Sequence, residues 1–143
     1  MLDMGDALDD LPLGYLLHRA AMALRSEVTT SVLEPLDLTF AQYLCMRILS
    51  KAPGSSNAEL ARQLNVSPQA MNMVVRGLED RGLVSRPASV ASGRALPAEL
   101  SREGVAILSR TDAGVRAAEL QVLGNLAEDE RSQLKRILAA VGE

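Results

Sequence analysis

Between Ser67 and Arg94 stand the side chains of this sequence best suited to reading an ordered polar surface. Gln69, Ala70, Asn72, Met73 and Arg76 recur at the three- and four-residue spacing that gathers side chains on one side of a helix, while Met71, Val74, Val75 and Leu78 take the other. The amides of Gln69 and Asn72 can each bond adenine N6 and N7, and Ala70 or Met73 can meet a thymine methyl. Arg76 can fork onto phosphate or a guanine edge. Ser67 precedes Pro68, so its hydroxyl is placed to cap that helix at the end that meets a ligand. Arg86 and Arg94 flank a small, polar hairpin; phosphate or ligand contact competes there with a local salt bridge.

A second mixed face lies nearer the start. Tyr15, His18, Arg19, Met22 and Arg25 recur at helical spacing. They suit an aromatic carboxylate, with Arg19 or Arg86 as the charge partner and His18 or Tyr15 as the hydrogen-bond donor. The same face equally suits packing at an interface, and the residues alone leave both readings open. Catalysis finds little support. His18 is the one histidine and Cys45 the one cysteine, on different expected helices, and no CxxC, HExxH or glycine-rich phosphate loop occurs. No catalytic residue, metal or cofactor is expected, and the chain is not read as an enzyme. Cys45 sits between Leu44 and Met46, which points to packing ahead of thiol-based redox sensing.

The elements that must hold these residues follow from periodicity and caps. Leu13, Leu16, Leu17, Ala20, Ala21, Leu24, Val28 and Val32 predict an amphipathic helix over 11–33, with Pro12 in its first turn and Pro35 stopping it. Thr39-Phe40-Ala41-Gln42 is a capping box opening a second helix to about Ser50. Ser56-Asn57-Ala58-Glu59 is a second box, opening a short helix to Leu64; Asn65-Val66 turns, and the next helix runs from Pro68 to Asp80. Gly82 is placed to end it in the left-handed conformation. Strands are predicted over 83–87 and 95–100, then a long helix from Ser101 to about Leu126, weakened at Gly114 and Gly124, and a last helix to Val141. Residues 1–10 are expected to fray. This order is the outline of a winged helix-turn-helix, mainly α with a small β-hairpin wing (α+β), flanked by terminal helices.

Those terminal helices carry apolar stripes (Val105, Leu108, Val115, Ala118, Val122, Leu126, Leu134, Ile137, Leu138, Val141) that a module as small as 37–100 cannot cover. A twofold homodimer through 11–33 and 105–141 would cover them and present two reading helices to a pseudo-palindromic duplex. The expected division is therefore a dimerisation helix in 1–36, a winged helix-turn-helix in 37–100 and dimerisation helices in 101–143, as one structural unit.

Charge is distributed to match. The chain carries 15 basic and 18 acidic residues, net −3. Residues 62–94 hold Arg62, Arg76, Arg81, Arg86 and Arg94 against only Glu79 and Asp80, a local +3 that leaves −6 for the rest. A positive patch on a negative body neutralises phosphates in one place and avoids polyanions elsewhere. With no leader-like start or 18-residue apolar run, the chain is read as cytoplasmic and without a membrane partner.

Leu38-Thr39 with Gln42, Leu60-Ala61 with Leu64, Val66-Ser67, Leu78-Glu79 with Gly82-Leu83-Val84 and Arg86, Arg94, and Leu100-Ser101 with Gly104 together resemble the multiple-antibiotic-resistance regulator (MarR) family of bacterial transcription factors, over about residues 12–142. The resemblance implies an obligate, roughly triangular homodimer that represses genes. It also implies release by a small molecule, often a phenolic acid, held where the dimerisation helices meet the reading module. Two positions depart from the family pattern: Ser92 replaces the Asp that commonly stiffens the wing, and Arg76 is the only cation between Ser67 and Asp80. A ligand-independent winged-helix regulator, a protein-binding module and a redox sensor acting through Cys45 are the alternatives.

Overall fold

The computed structural model describes residues 10–86 and 98–142. The acidic start and the wing tip, with Ser92 and Arg94, lie outside them. Helix α1 spans Leu13–Val28. It does not run on to Leu33 as one α-helix: Thr29–Leu33 widens into a π-helical turn and Glu34–Leu36 tightens into a 3-10 turn that includes Pro35. Asp37, left-handed at φ 56°, then redirects the chain. Helix α2 spans Phe40–Lys51 and opens on the expected box, Thr39 Oγ1 accepting from Gln42 N–H and Gln42 Oε1 from Thr39 N–H. Helix α3 spans Asn57–Leu64, where Ser56 accepts from Glu59 N–H and only this half of the second box forms.

Helix α4 spans Pro68–Asp80, with Ser67 Oγ accepting from Ala70 N–H at 3.1 Å. Gly82 closes it at φ 73°. Strands β1 (Val84–Ser85) and β2 (Glu99–Leu100) pair antiparallel, Val84 opposite Leu100 and Ser85 opposite Glu99. Helix α5 spans Arg102–Val122 and stops short of Leu126, where Gly124 follows its last turn. Gly114 does not interrupt it. A Cβ there would lie 3.0 Å from Val32, so the glycine lets α5 close on the π-turn. Helix α6 spans Glu128–Ala140, with acids in its first turn and Glu130 Oε1 accepting from Ala127 N–H.

One apolar cluster runs through the reading module and into α5: Leu33, Met46, Leu49, Leu60, Met71, Val75, Leu78 and Leu108 are buried in it. This corrects part of the expectation for the terminal stripes. Val28, Val32, Leu108 and Ala118 find partners inside the chain, because α1 and its π-turn lie along α5. Leu13, Leu17, Val105, Leu120, Ile137, Leu138 and Val141 stay exposed.

Candidate nucleic-acid interface

The reading surface is built by the α3–α4 pair. Asn65 ends α3 in the left-handed conformation at φ 54°, which tightens the turn into Ser67. Asn57 Nδ2 donates to the Pro68 carbonyl at 3.2 Å, tying the start of α3 to the start of α4. Met71, Val75 and Leu78 are fully buried, and this clamps the roll of α4. The opposite face therefore goes to solvent: Gln69, Ala70, Asn72, Met73 and Arg76 are all exposed, Met73 at 77%. Gly77 lets α4 approach α2, since a Cβ there would sit 3.1 Å from Gln42 Nε2. Ser67 is exposed at the N-terminal tip, where free backbone N–H groups favour an anion.

The described arginines of the basic window divide into two kinds. Arg81 donates to the carbonyls of Leu36 (3.0 Å) and Asp37 (2.5 Å), so it closes the turn before α2. Arg86 is mostly buried, its Nε 3.1 Å from Glu79 Oε1 but with the N–H poorly aimed at that oxygen. Arg62 and Arg76 are exposed and make no ion pair among the described residues. Arg62 was counted only as charge in the sequence. It lines the cleft beside the turn with Asn65, Val66 and Pro68, and the outward phase of α3 opposite buried Leu60 and Ala61 is the signal for it.

On α1, Tyr15, His18, Arg19 and Met22 are exposed. α1 packs along α5 and reaches the reading module through Arg25, 5.0 Å above the Phe40 ring. The other side of α1 forms a groove of about 520 Å³ with α5 and α6, lined by Leu17, Ala20, Leu24, Leu120, Leu123 and Leu138, with Arg116 and Lys135.

A family model described as the MarR family matches residues 38–96. The transcriptional repressor Rv2887 of Mycobacterium tuberculosis is 52% identical over 134 residues, which cover 94% of this chain and 96% of that protein. The chain belongs to the MarR family. Solved structures agree in shape: Rv2887 in complex with DNA (TM-score 0.80, 47% identity, 94% of this chain and 100% of that one) and with salicylic acid (TM-score 0.79, 52% identity, 94% and 99%). Apo MarR from E. coli superposes equally well at 26% identity (TM-score 0.80, 93% and 98%). Among the described residues, the matched segment takes in helices α2, α3 and α4 and strand β1 of this MarR-family chain.

Cys45 of this MarR-family chain is fully buried on α2. Burial pushes its thiol up to about 11, and the positive charge of Arg86 only partly opposes the shift. A thiol held so far above neutral pH is a weak nucleophile. The observation supports packing over redox sensing.

Proposed function

We propose that this chain is a homodimeric transcriptional repressor that binds a pseudo-palindromic operator and is released by a small aromatic acid. The observation that carries this is the face of α4: Gln69, Ala70, Asn72, Met73 and Arg76 exposed together on a helix whose roll is locked by three fully buried residues. That is the arrangement by which a recognition helix offers amides, a guanidinium and apolar groups to base edges. Ser67, Arg62 and, from the wing, Arg94 contact phosphate. Rv2887, named a transcriptional repressor, has been solved with DNA, with salicylic acid and with p-aminosalicylic acid, which favours the same partners here.

Residues 37–100 read the duplex, and 1–36 with 101–143 form the dimer. The apolar groups left exposed on α1, α5 and α6 support a second copy as their cover. The acid sits beside Tyr15, His18, Arg19 and Met22, with Arg19 or Arg86 as its charge partner. No described helix is long and apolar enough to cross a membrane. The repressor works in the cytoplasm and carries out no catalysis.

Two titrations test this. Duplex affinity measured against salt should fall steeply, as counterion release requires. Calorimetry with salicylate should give weaker binding in the presence of operator, since linkage is reciprocal, and weaker binding again in Arg19→Ala or Arg86→Ala. A flat salt response rejects the DNA reading, and acid binding indifferent to operator rejects the release mechanism.

A further inference from the structure

We propose that Arg47 and Asp112 are positioning residues for operator recognition: their ion pair sets the angle at which the reading module stands on α5. The inference rests on the repressor reading and adds to it how the spacing of the two reading helices is held.

The reading module is a stiff body. Met71, Val75 and Leu78 lock α4 into the core, and Gln42 lies close against Gly77, where a Cβ would sit 3.1 Å from its Nε2. The frame is stiff as well, because Gly114 brings α5 into contact with Val32 of the π-turn. Two of the polar junctions between these bodies gather at one place, the C-terminal end of α4. There Arg81 holds the carbonyls of Leu36 and Asp37. Next to it Ser101 Oγ donates to the Gly82 carbonyl, and Gly104 has the Leu83 carbonyl so close that a Cβ would lie 2.0 Å from its oxygen. With these polar attachments gathered at one end, the apolar contacts between α2 and α5 are left to resist rotation about it, and non-directional packing fixes an angle less sharply than a directed ion pair does.

The Arg47–Asp112 pair is, among the described residues, the ion pair that joins the two bodies away from that end. It joins α2 to α5 across 65 residues of sequence, with both side chains about one-third exposed and the Arg47 guanidinium 5.7 Å from the Tyr43 ring centroid. Asp112 lies eight residues beyond Gly104, about 12 Å along the axis of α5. Gln69, at the tip of α4, lies about 20 Å from Gly82. A 1 Å slip at the pair therefore swings the reading tip by about 1.6 Å in each protomer, a large fraction of the 3.4 Å base step. Half-sites are separated by a fixed helical repeat, so this tilt governs specific binding. Non-specific phosphate contact depends on charge and tolerates the swing.

Charge exchange is the test. The probe is a palindromic duplex selected from a randomised pool by the wild-type chain. Arg47→Asp and Asp112→Arg are each expected to bind it about tenfold more weakly, and the double exchange to recover most of that loss. Affinity for a mixed-sequence duplex, measured at equal net charge in the double exchange, should stay within about twofold of wild type. Arg47→Gln, checked for folding by thermal denaturation, provides a milder variant with a smaller loss of the same kind.

A second arm needs no DNA. Spin labels at Gln69→Cys and Ser109→Cys, in protein diluted with unlabelled copies, should report one narrow distance that broadens in either single reversal and narrows again in the exchange; buried Cys45 does not take the label. The proposal is overturned if the exchange stays as weak and as broad as the single variants. It is equally overturned if the single variants match wild type, or lose specific and mixed-sequence binding alike. If the wild type selects no duplex, the repressor reading fails, while the distance measurement still decides the role of the pair.

Discussion

Asn72 and Arg94 stand for two kinds of work at a DNA surface. Asn72 is exposed in the middle of the α4 face, with an amide that matches adenine. Asn72→Ala is expected to relax preference at one base pair per half-site, at a cost of about 1 to 3 kcal/mol. Arg94→Ala should instead weaken all duplexes and make the salt slope shallower by about one charge per protomer. Binding to a panel of single-base operator variants at several salt concentrations separates the two patterns. Cys45 makes a third, chemical prediction. Its folded thiol titrates near 11, above the ordinary value of 9.0. Between those values the unfolded chain has lost the proton and the folded one keeps it, so this contribution is whole below pH 9 and is lost as pH rises towards 11. Denaturant unfolding of wild type against Cys45→Ala should show a difference that shrinks by about 2 to 3 kcal/mol over that window. A constant difference would mean that the thiol is not desolvated.

At the scale of elements, α4 is fixed by what ends it as much as by what it buries. Ser67 caps its start, Gly82 turns the chain at φ 73°, and β2, paired with β1, leads into Ser101 and Gly104 at the head of α5. Gly104 is constrained by space and not by its backbone angles: the neighbour that a Cβ would strike is the Leu83 backbone, which cannot rotate away. Gly104→Ala is therefore expected to cost about 1 to 3 kcal/mol in thermal or denaturant unfolding. Gly14→Ala serves as the control, since open space surrounds that position on α1 and the exchange should be neutral or slightly stabilising. Equal effects of the two substitutions would show that the junction between α4 and α5 yields more easily than its geometry implies.

For the whole molecule, the apolar groups left exposed on α1, α5 and α6 call for a cover from outside the chain. Leu138 is 44% exposed and Ile137 58%, on a helix that packs no fully buried residue within the chain. Leu17, Leu120 and Leu138 border one groove, so a second copy can bury them together. Leu138→Asp should thus raise the dimer dissociation constant and lower operator affinity in step, and make the unfolding midpoint depend more steeply on protein concentration. Light scattering over a dilution series, run beside operator titration, checks the dissociation and the affinity. A monomeric wild type at micromolar concentration would remove the dimer from the reading.

What the sequence determined by itself is what depends on neighbours within a few residues. The Thr39–Gln42 box, the Ser67-Pro68 start, the left-handed Gly82 and the outward phase of Gln69, Asn72, Met73 and Arg76 are all consequences of helix period and free backbone N–H groups, and each stands where expected. Their order also carried the family. Tertiary structure alone decided which cations are available: Arg81 and Arg86 look like Arg62 and Arg76 in a charge count, yet two carbonyls 44 and 45 residues away occupy the first and Glu79 faces the second. It also decided that Gly114 is a contact and not a break, and that α1 ends in a π-turn. Arg47 and Asp112 carried no signal in the sequence, because an ion pair forms only where packing has already brought two helices side by side, and a local pattern cannot say which helices those are.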